Sequence, residues 1–256
     1  MRLKINNLCY SYSSRDAIKD ICLSVKKGEF IGLIGPNGSG KSTVLKNLYR
    51  ALQPNKGEVI LDDRNLFSMS HKEAALKMGV VGQENNIPFD FKVEEIVAMG
   101  RTPHKKLFDI DTEDDKKIVN HALKHLGIED MANRSYQNLS GGEKQRVVIA
   151  RVIAQESDFL ILDEPTNHLD ISYQMQIFDF VKRLGVTVLS AIHDLNMAAL
   201  YCDKLYVLNE GEVVISGTPE EVLTSENIYS VYGVKTDIST HPITGKLAIT
   251  FLPNGM

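Results

Sequence analysis

The sequence predicts an α/β protein with a largely parallel sheet, an antiparallel β-subdomain at its amino terminus and an inserted α-helical subdomain. Three observations lead there. Short apolar runs alternate with helical patterns, one continuously apolar run ends in a glycine-rich loop before a helix, and a central stretch carries helical periodicity alone.

The first segment alternates polar and apolar side chains, as at Ile21, Leu23 and Val25, and a Lys-Lys-Gly turn at 26–28 follows, so it reads as a hairpin or small sheet. The run from Phe30 to Ile34 is apolar throughout, which fits a strand covered on both faces. The stretch from Gly35 to Gly40 then leads into a helix starting at Lys41. Further strands are expected at 59–61, 80–81, 159–162, 186–191 and 205–208, with helical stretches between them. From about Glu84 to Asn138 the signals are helical. Thr112 and Asp115 suit a helix start, Ile118, Val119, Ala122, Leu123 and Leu126 form one apolar stripe, and Gly127 suits a stop. The expected divisions are residues 1–84 (first part of the core, with the β-subdomain), 85–138 (the helical insert), 139–222 (second part of the core) and 223–256 (a carboxyl-terminal extension). The extension holds one short helical pattern and ends in LAITFLP, which has strand character.

A chain of 256 residues, 43% apolar and 24% charged, sustains one large domain or a core with an inserted subdomain. A net charge of -4 and a pI near 6.0 give no electrostatic footprint for wrapping nucleic acid, which is not expected as a partner. Cys9, Cys22 and Cys202 lack the spacing of a metal knuckle or disulfide framework and read as reduced, mostly buried thiols, which favours the cytosol. The amino terminus has no long apolar core, and the runs FLIL and VVIARVIA are too short or charge-interrupted to span a bilayer. Service to a membrane is therefore expected to run through another chain.

The segment Gly35-Pro36-Asn37-Gly38-Ser39-Gly40-Lys41-Ser42-Thr43 matches the phosphate-loop pattern G-x-x-x-x-G-K-[ST], between a strand and a helix. Such a loop turns successive N–H groups toward a polyphosphate while the positive end of the helix faces the same anion. Lys41 is expected on the β- and γ-phosphates of ATP, and the Ser42 hydroxyl on Mg²⁺. The core is thus expected to be of the P-loop NTPase type. Phe159-Leu-Ile-Leu-Asp163-Glu164 adds two carboxylates at the end of an apolar strand, where ligands of open α/β sheets bind. Asp163 suits the Mg²⁺ shell, and Glu164 suits a base that takes a proton from attacking water.

Leu139-Ser140-Gly141-Gly142-Glu143-Lys144-Gln145-Arg146 resembles the signature of the ATP-binding cassette family, and with the two preceding motifs the resemblance covers nearly the whole chain. Ser140 and Glu143 form a capping-box pattern, and Gly141 and Gly142 leave the helix start bare for a phosphate. Glu143 stands where glutamine is more usual in the family, a variation the family tolerates. The resemblance implies two nucleotide sites closed between two copies, each pairing one phosphate loop with the other's signature, in a homodimer or a heterodimer with a close relative. It also implies roles for single residues: Tyr12 stacks on adenine, with Tyr10 as competitor; Gln83 reaches Mg²⁺ and the attacking water; Asp170, in Asn167-His168-Leu169-Asp170, lies in the loop crossing the dimer interface; His193 contacts the γ-phosphate.

The segment Pro88–Pro103, with TNHLD and HDLN, is similar to the ATPase subunits of iron-siderophore, haem and cobalamin importers. That implies a separate permease, an extracytoplasmic substrate-binding protein and a peripheral place on the cytoplasmic face of the membrane. The alternative is a soluble cassette that acts as an assembly factor, for example in cluster biogenesis; the GRTP stretch disfavours it. A regulatory nucleotide sensor needs an extra ligand domain, for which the tail is too short. His121 and His125 share a helix face without a third ligand, Asp109, Asp111 and Glu113 lack the glycine and distal glutamate of a calcium loop, and residues 113–117 read as a charged first helical turn.

Overall fold

The computed structural model describes residues 1–13, 15–82, 89–106, 109–166 and 169–253. In chain order the elements are β1 (Leu3–Tyr12), β2 (Arg15–Val25), β3 (Phe30–Ile34), α1 (Lys41–Leu48), β4 (Lys56–Leu61), β5 (Arg64–Asn65), α2 (His71–Lys77), β6 (Gly79–Val81), α3 (Val93–Ala98), α4 (Glu113–His125) and α5 (Gly141–Ala154). They continue with β7 (Phe159–Asp163), α6 (Ile171–Arg183), β8 (Thr187–Ala191), α7 (Leu195–Tyr201), β9 (Lys204–Asn209), β10 (Glu212–Gly217), α8 (Pro219–Val222), α9 (Ser225–Tyr232), β11 (Thr236–Thr240) and β12 (Leu247–Phe251). The chain forms two compact units, residues 1–68 with 185–256, and residues 69–184.

The first unit holds the expected antiparallel sheet, in the order β2-β1-β4-β5. Alternation along β2 buries Ile21, Leu23 and Val25. The same alternation corrects the reading of the cysteines as mostly buried. Cys22 lies on the outward face of β2 and is exposed, Cys9 is half-buried, and Cys202 alone is buried; none is in a disulfide. A second group of strands runs β10-β9-β3-β8, with β3 parallel to both β8 and β9 and β10 closing an antiparallel hairpin. All of β3 and β8 is buried, which explains why Phe30–Ile34 reads as an unbroken apolar run. In the extension, LAITF forms β12 as its composition suggests, and it pairs with β11, which places Ile238 opposite Ile249.

In the second unit β6 and β7 pair in parallel, with Val81 beside Leu162. Around the helices α3, α4 and α5 a core gathers Val93, Ile96 and Val97, then Val119, Ala122 and Leu123, then Val147, Ala150 and Ala154. Burial of each larger aliphatic side chain stabilises the unit by roughly 1.5–3 kcal/mol. The start of α4 is where the sequence puts it. The Asp115 N–H donates to Thr112 Oγ1 at 3.1 Å, the Thr112 N–H donates to Asp115 Oδ2 at 3.0 Å, and Gly127 follows the helix with φ 60°.

Asp115 also serves a contact that spans the unit. Arg101, 6% exposed, donates from Nε to Asp115 Oδ1 at 2.9 Å, and from Nη1 to the Ala154 carbonyl and Glu156 Oε2, both at 2.7 Å. One guanidinium thus ties the segment after α3 to the start of α4 and the end of α5. The Arg101 side chain, followed by the backbone and side-chain hydrogen bonds of Thr112, holds the Asp115 carboxyl well below the usual carboxylate range against the opposing effect of burial.

Candidate nucleotide site

The loop after β3 is shaped by its glycines. Gly35 has φ 146°, and a Cβ there would lie 2.0 Å from the Leu208 carbonyl oxygen, so only glycine lets the chain turn this close to β9. Gly40 precedes α1 with φ 107°, and no side chain caps the helix, so its first N–H groups face the loop interior without a competing carboxylate or hydroxyl. Lys41 is 4% exposed, and its Nζ donates to the Gly35 carbonyl at 2.8 Å and the Pro36 carbonyl at 3.0 Å. The ammonium is thus held over the loop that the sequence assigns to phosphates. Ser39 sits buried within it, and among the described residues its Oγ has no hydrogen-bond partner.

Neighbouring groups of the first unit converge on this loop. Ile18 and Ala17 of β2 lie against Gly40, and Ile18 pairs with Tyr10 across β1, so the strand end that carries Tyr10 and Tyr12 adjoins the loop. Tyr12 is 46% exposed and packs edge-on to Tyr10, which is half-buried; the freer ring face is that of Tyr12. β8 runs parallel beside β3, so His193, two residues past its end, emerges on the same side as Gly35. The Ile192 N–H donates to the Leu33 carbonyl at 3.0 Å, and Asp194 caps α7 by accepting from the N–H groups of Asn196 and Met197 at 2.7 and 3.1 Å. His193 is exposed between these two fixed points. At the end of α9 burial pushes the titration of the Tyr232 phenol far up, an effect that the nearby Gly35 backbone opposes.

In the second unit Asp163 ends β7 fully buried, and Glu164 follows in the left-handed region with φ 52°. A non-glycine residue in that conformation redirects the chain as it leaves the strand. Ser140 caps α5 through a reciprocal box. The Glu143 N–H donates to Ser140 Oγ at 3.4 Å and the Ser140 N–H donates to Glu143 Oε2 at 2.7 Å. The Ser140 side chain and then its backbone hold the Glu143 carboxyl below its usual range. Gly141 and Gly142 open the helix behind this cap without side chains of their own, and a Cβ on Gly142 would meet the Tyr173 ring at 3.4 Å. Asp170 caps α6, its Oδ1 accepting from the Tyr173 N–H at 3.1 Å.

The family model for ABC transporters matches residues 18–167. The chain belongs to the ABC transporter family. It is an ATPase with a mixed α/β fold. Among curated members it is 38% identical to the petrobactin import ATP-binding protein FpuC of Bacillus anthracis, over 92% of this chain and 88% of the relative. It is also 38% identical to the ferric enterobactin transport ATP-binding protein FepC of Escherichia coli K12, over 95% of this chain and 92% of the relative. Among solved structures, an ABC transporter in an inward-facing conformation superposes with a TM-score of 0.85 at 27% identity, covering 98% of this chain and 97% of that one. The cassette MJ0796, a dimer in a post-hydrolysis state with ADP and Pi, matches with a TM-score of 0.74 at 31% identity, over 85% of this chain and 98% of that one.

Within this ABC cassette, the first unit carries Tyr12, the loop from Gly35 to Thr43 and His193, and the second carries Ser140, Gly141, Gly142, Glu143, Asp163, Glu164 and Asp170. Gln83, and Asn167 and His168 of the TNHLD segment, lie outside the described residues. Sequence reasoning passes over Tyr232, Asn196 and Arg101, whose partners are remote in the chain. Asn196 lies in the HDLN segment and Arg101 in the GRTP stretch, but neither segment signals the partner that its side chain takes. The acidic positions weighed as a calcium loop are engaged with lysines and a backbone amide: Asp111 pairs with Lys105, Glu113 with Lys116, and Asp109 accepts from the Lys106 N–H. His121 and His125 stand exposed on α4 with their Nε2 atoms 2.9 Å apart. Among the described residues no cluster of three or more His, Cys, Asp or Glu is arranged to hold a metal, and no helix is long and apolar enough to cross a membrane.

Proposed function

We propose that this chain is the ATP-hydrolysing subunit of an importer for a metal chelate or similar cofactor, of the siderophore-iron, haem or cobalamin kind. The observation that carries the reading is the glycine cradle with Lys41 poised over it. The cradle fits a polyphosphate because its glycines keep side chains away from the backbone N–H groups and its helix is left uncapped. Lys41 holds the β- and γ-phosphates, the remaining residues Gly35 to Thr43 wrap them, and Tyr12 stacks on adenine. Ser42, Asp163 and Gln83 are oxygen donors suited to Mg²⁺, which when bound neutralises charge on the β- and γ-oxygens. Glu164 accepts the proton of the attacking water, and His193 contacts the γ-phosphate. Ser140, Gly141, Gly142 and Glu143 of a second copy close over that phosphate, with Asp170 at the interface between copies. Loss of the γ-phosphate removes the contacts that favour the closed pair, so hydrolysis reopens it.

The import reading is supported by relatives of 38% identity whose names specify petrobactin and enterobactin. In it, a permease binds the insert over residues 85–138, a substrate-binding protein lies on the far side, and the chain is peripheral on the cytoplasmic face. Replacement of Glu164 by Gln is expected to leave ATP binding intact and lower turnover by roughly 10²- to 10⁴-fold, the scale of general-base catalysis. Turnover near the unaltered rate removes Glu164 from the role. Purification in detergent tests the partner: a polytopic membrane protein that elutes with the chain supports import, and a soluble one supports the assembly-factor alternative.

A further inference from the structure

The carboxyl-terminal hairpin bears on the helix that starts beside His193. Among the described residues β11 and β12 pair only with each other, so each keeps an outer edge whose amide and carbonyl groups need partners. At Ile249 a single side chain meets that edge. The Ile249 N–H donates to Asn196 Oδ1 at 2.8 Å, and Asn196 Nδ2 donates to the Ile249 carbonyl at 3.2 Å. A primary amide offers one donor and one acceptor side by side, which matches the outward-facing pair of a strand residue, so Asn196 serves β12 as a one-residue neighbouring strand. Ile249 is 5% exposed, which makes loss of these bonds costly to its backbone.

Asn196 is the second residue of α7, and His193 immediately precedes the cap of that helix. At seven residues, α7 has little stability of its own and takes its position from what it packs against. On the near side the Ile192 N–H is fixed to Leu33; on the far side the first turn is fixed to β12.

We propose that Asn196 is a positioning residue for ATP hydrolysis: through its paired hydrogen bonds to Ile249 it makes the carboxyl-terminal hairpin a fixed stop for the first turn of α7, and so sets the direction of His193. This rests on the reading of His193 as the γ-phosphate contact. The test compares His193→Ala, Asn196→Ala and the double variant of the 256-residue chain, through kcat, KM for ATP, ATP affinity and melting temperature. Asn196→Ala is expected to lower kcat roughly tenfold, less than the ~10²-fold that a full 1 Å misplacement costs, with KM and ATP affinity within about twofold. In the His193→Ala background the same substitution should change kcat by less than about twofold, because both changes act on one group. Asn196→Asp, which keeps an acceptor but sets a carboxylate against the Ile249 carbonyl, is expected to match Asn196→Ala and serves if the alanine variant does not fold. An unaltered kcat in a folded Asn196 variant, or losses that multiply in the double variant, overturns the proposal; a lower melting temperature with kcat intact marks Asn196 as structural only. A His193→Ala chain that hydrolyses ATP at the full rate instead removes the reading of His193 on which the proposal stands.

Discussion

A methyl group at Gly35 would meet the Leu208 carbonyl at 2.0 Å on a backbone held at φ 146°, so Gly35→Ala has to move the loop. Strain of that kind is on the order of 1–3 kcal/mol, and ATP affinity is expected to fall by roughly 10- to 100-fold in a titration with a fluorescent nucleotide. Unchanged affinity would remove the loop from its assigned role. The spacing of Gly35, Gly40, Lys41 and Ser42 is legible in the sequence because consecutive backbone groups do the binding, and no distant partner is needed to recognise it. What abuts Gly35 is not legible, since Leu208 and Tyr232 reach it only through folding. The cysteines fail for a related reason: composition suggests burial, but the alternation of β2 turns Cys22 outward.

α4 shows how far an element can be read from local chemistry. Thr112, Asp115 and Gly127 mark its ends, and Val119, Ala122 and Leu123 mark its inner face, all within a short stretch of chain. Arg101 is invisible by the same logic, because its partners Asp115, Ala154 and Glu156 lie 14, 53 and 55 positions away. β11 escapes too; Thr236–Thr240 is mostly polar and exposed and becomes a strand by pairing with β12. The Arg101 cluster has a measurable acid signature. Because the Asp115 carboxyl is held below its ordinary value in the folded chain, its contribution to stability is fully present above about pH 4 and is lost as pH falls through the folded value. Denaturant midpoints taken between pH 7 and pH 3 should fall for the unaltered chain and fall less steeply for Asp115→Asn. Arg101→Ala, which leaves Asp115 buried without its cation, is expected to cost about 3 kcal/mol at neutral pH by the same measurement.

For the molecule as a whole, the order of strand, loop, helix, signature and second acidic strand locates the fold class without any contact information, and a TM-score of 0.85 to an ABC transporter structure agrees with it. The division into residues 1–68 with 185–256 and residues 69–184 is a property of the folded chain that no composition shift announces. If the two-copy reading holds, Glu164→Gln in saturating ATP should elute as a dimer by size exclusion with light scattering, while Lys41→Ala stays monomeric; a Glu164→Gln chain that remains monomeric with bound ATP counts against closure by nucleotide. The cysteines offer a separate gauge. Cys202 is 2% exposed, its Sγ 2.8 Å from where a Cβ on Gly32 in β3 would stand, whereas Cys22 faces solvent. In a chain with Cys9 replaced by serine, a maleimide probe therefore meets two clocks, modifying Cys22 fast from solvent and Cys202 only when β3 and α7 part. The slow clock counts how often the strand that feeds the phosphate loop stands open, and a nucleotide that tightens that strand slows it.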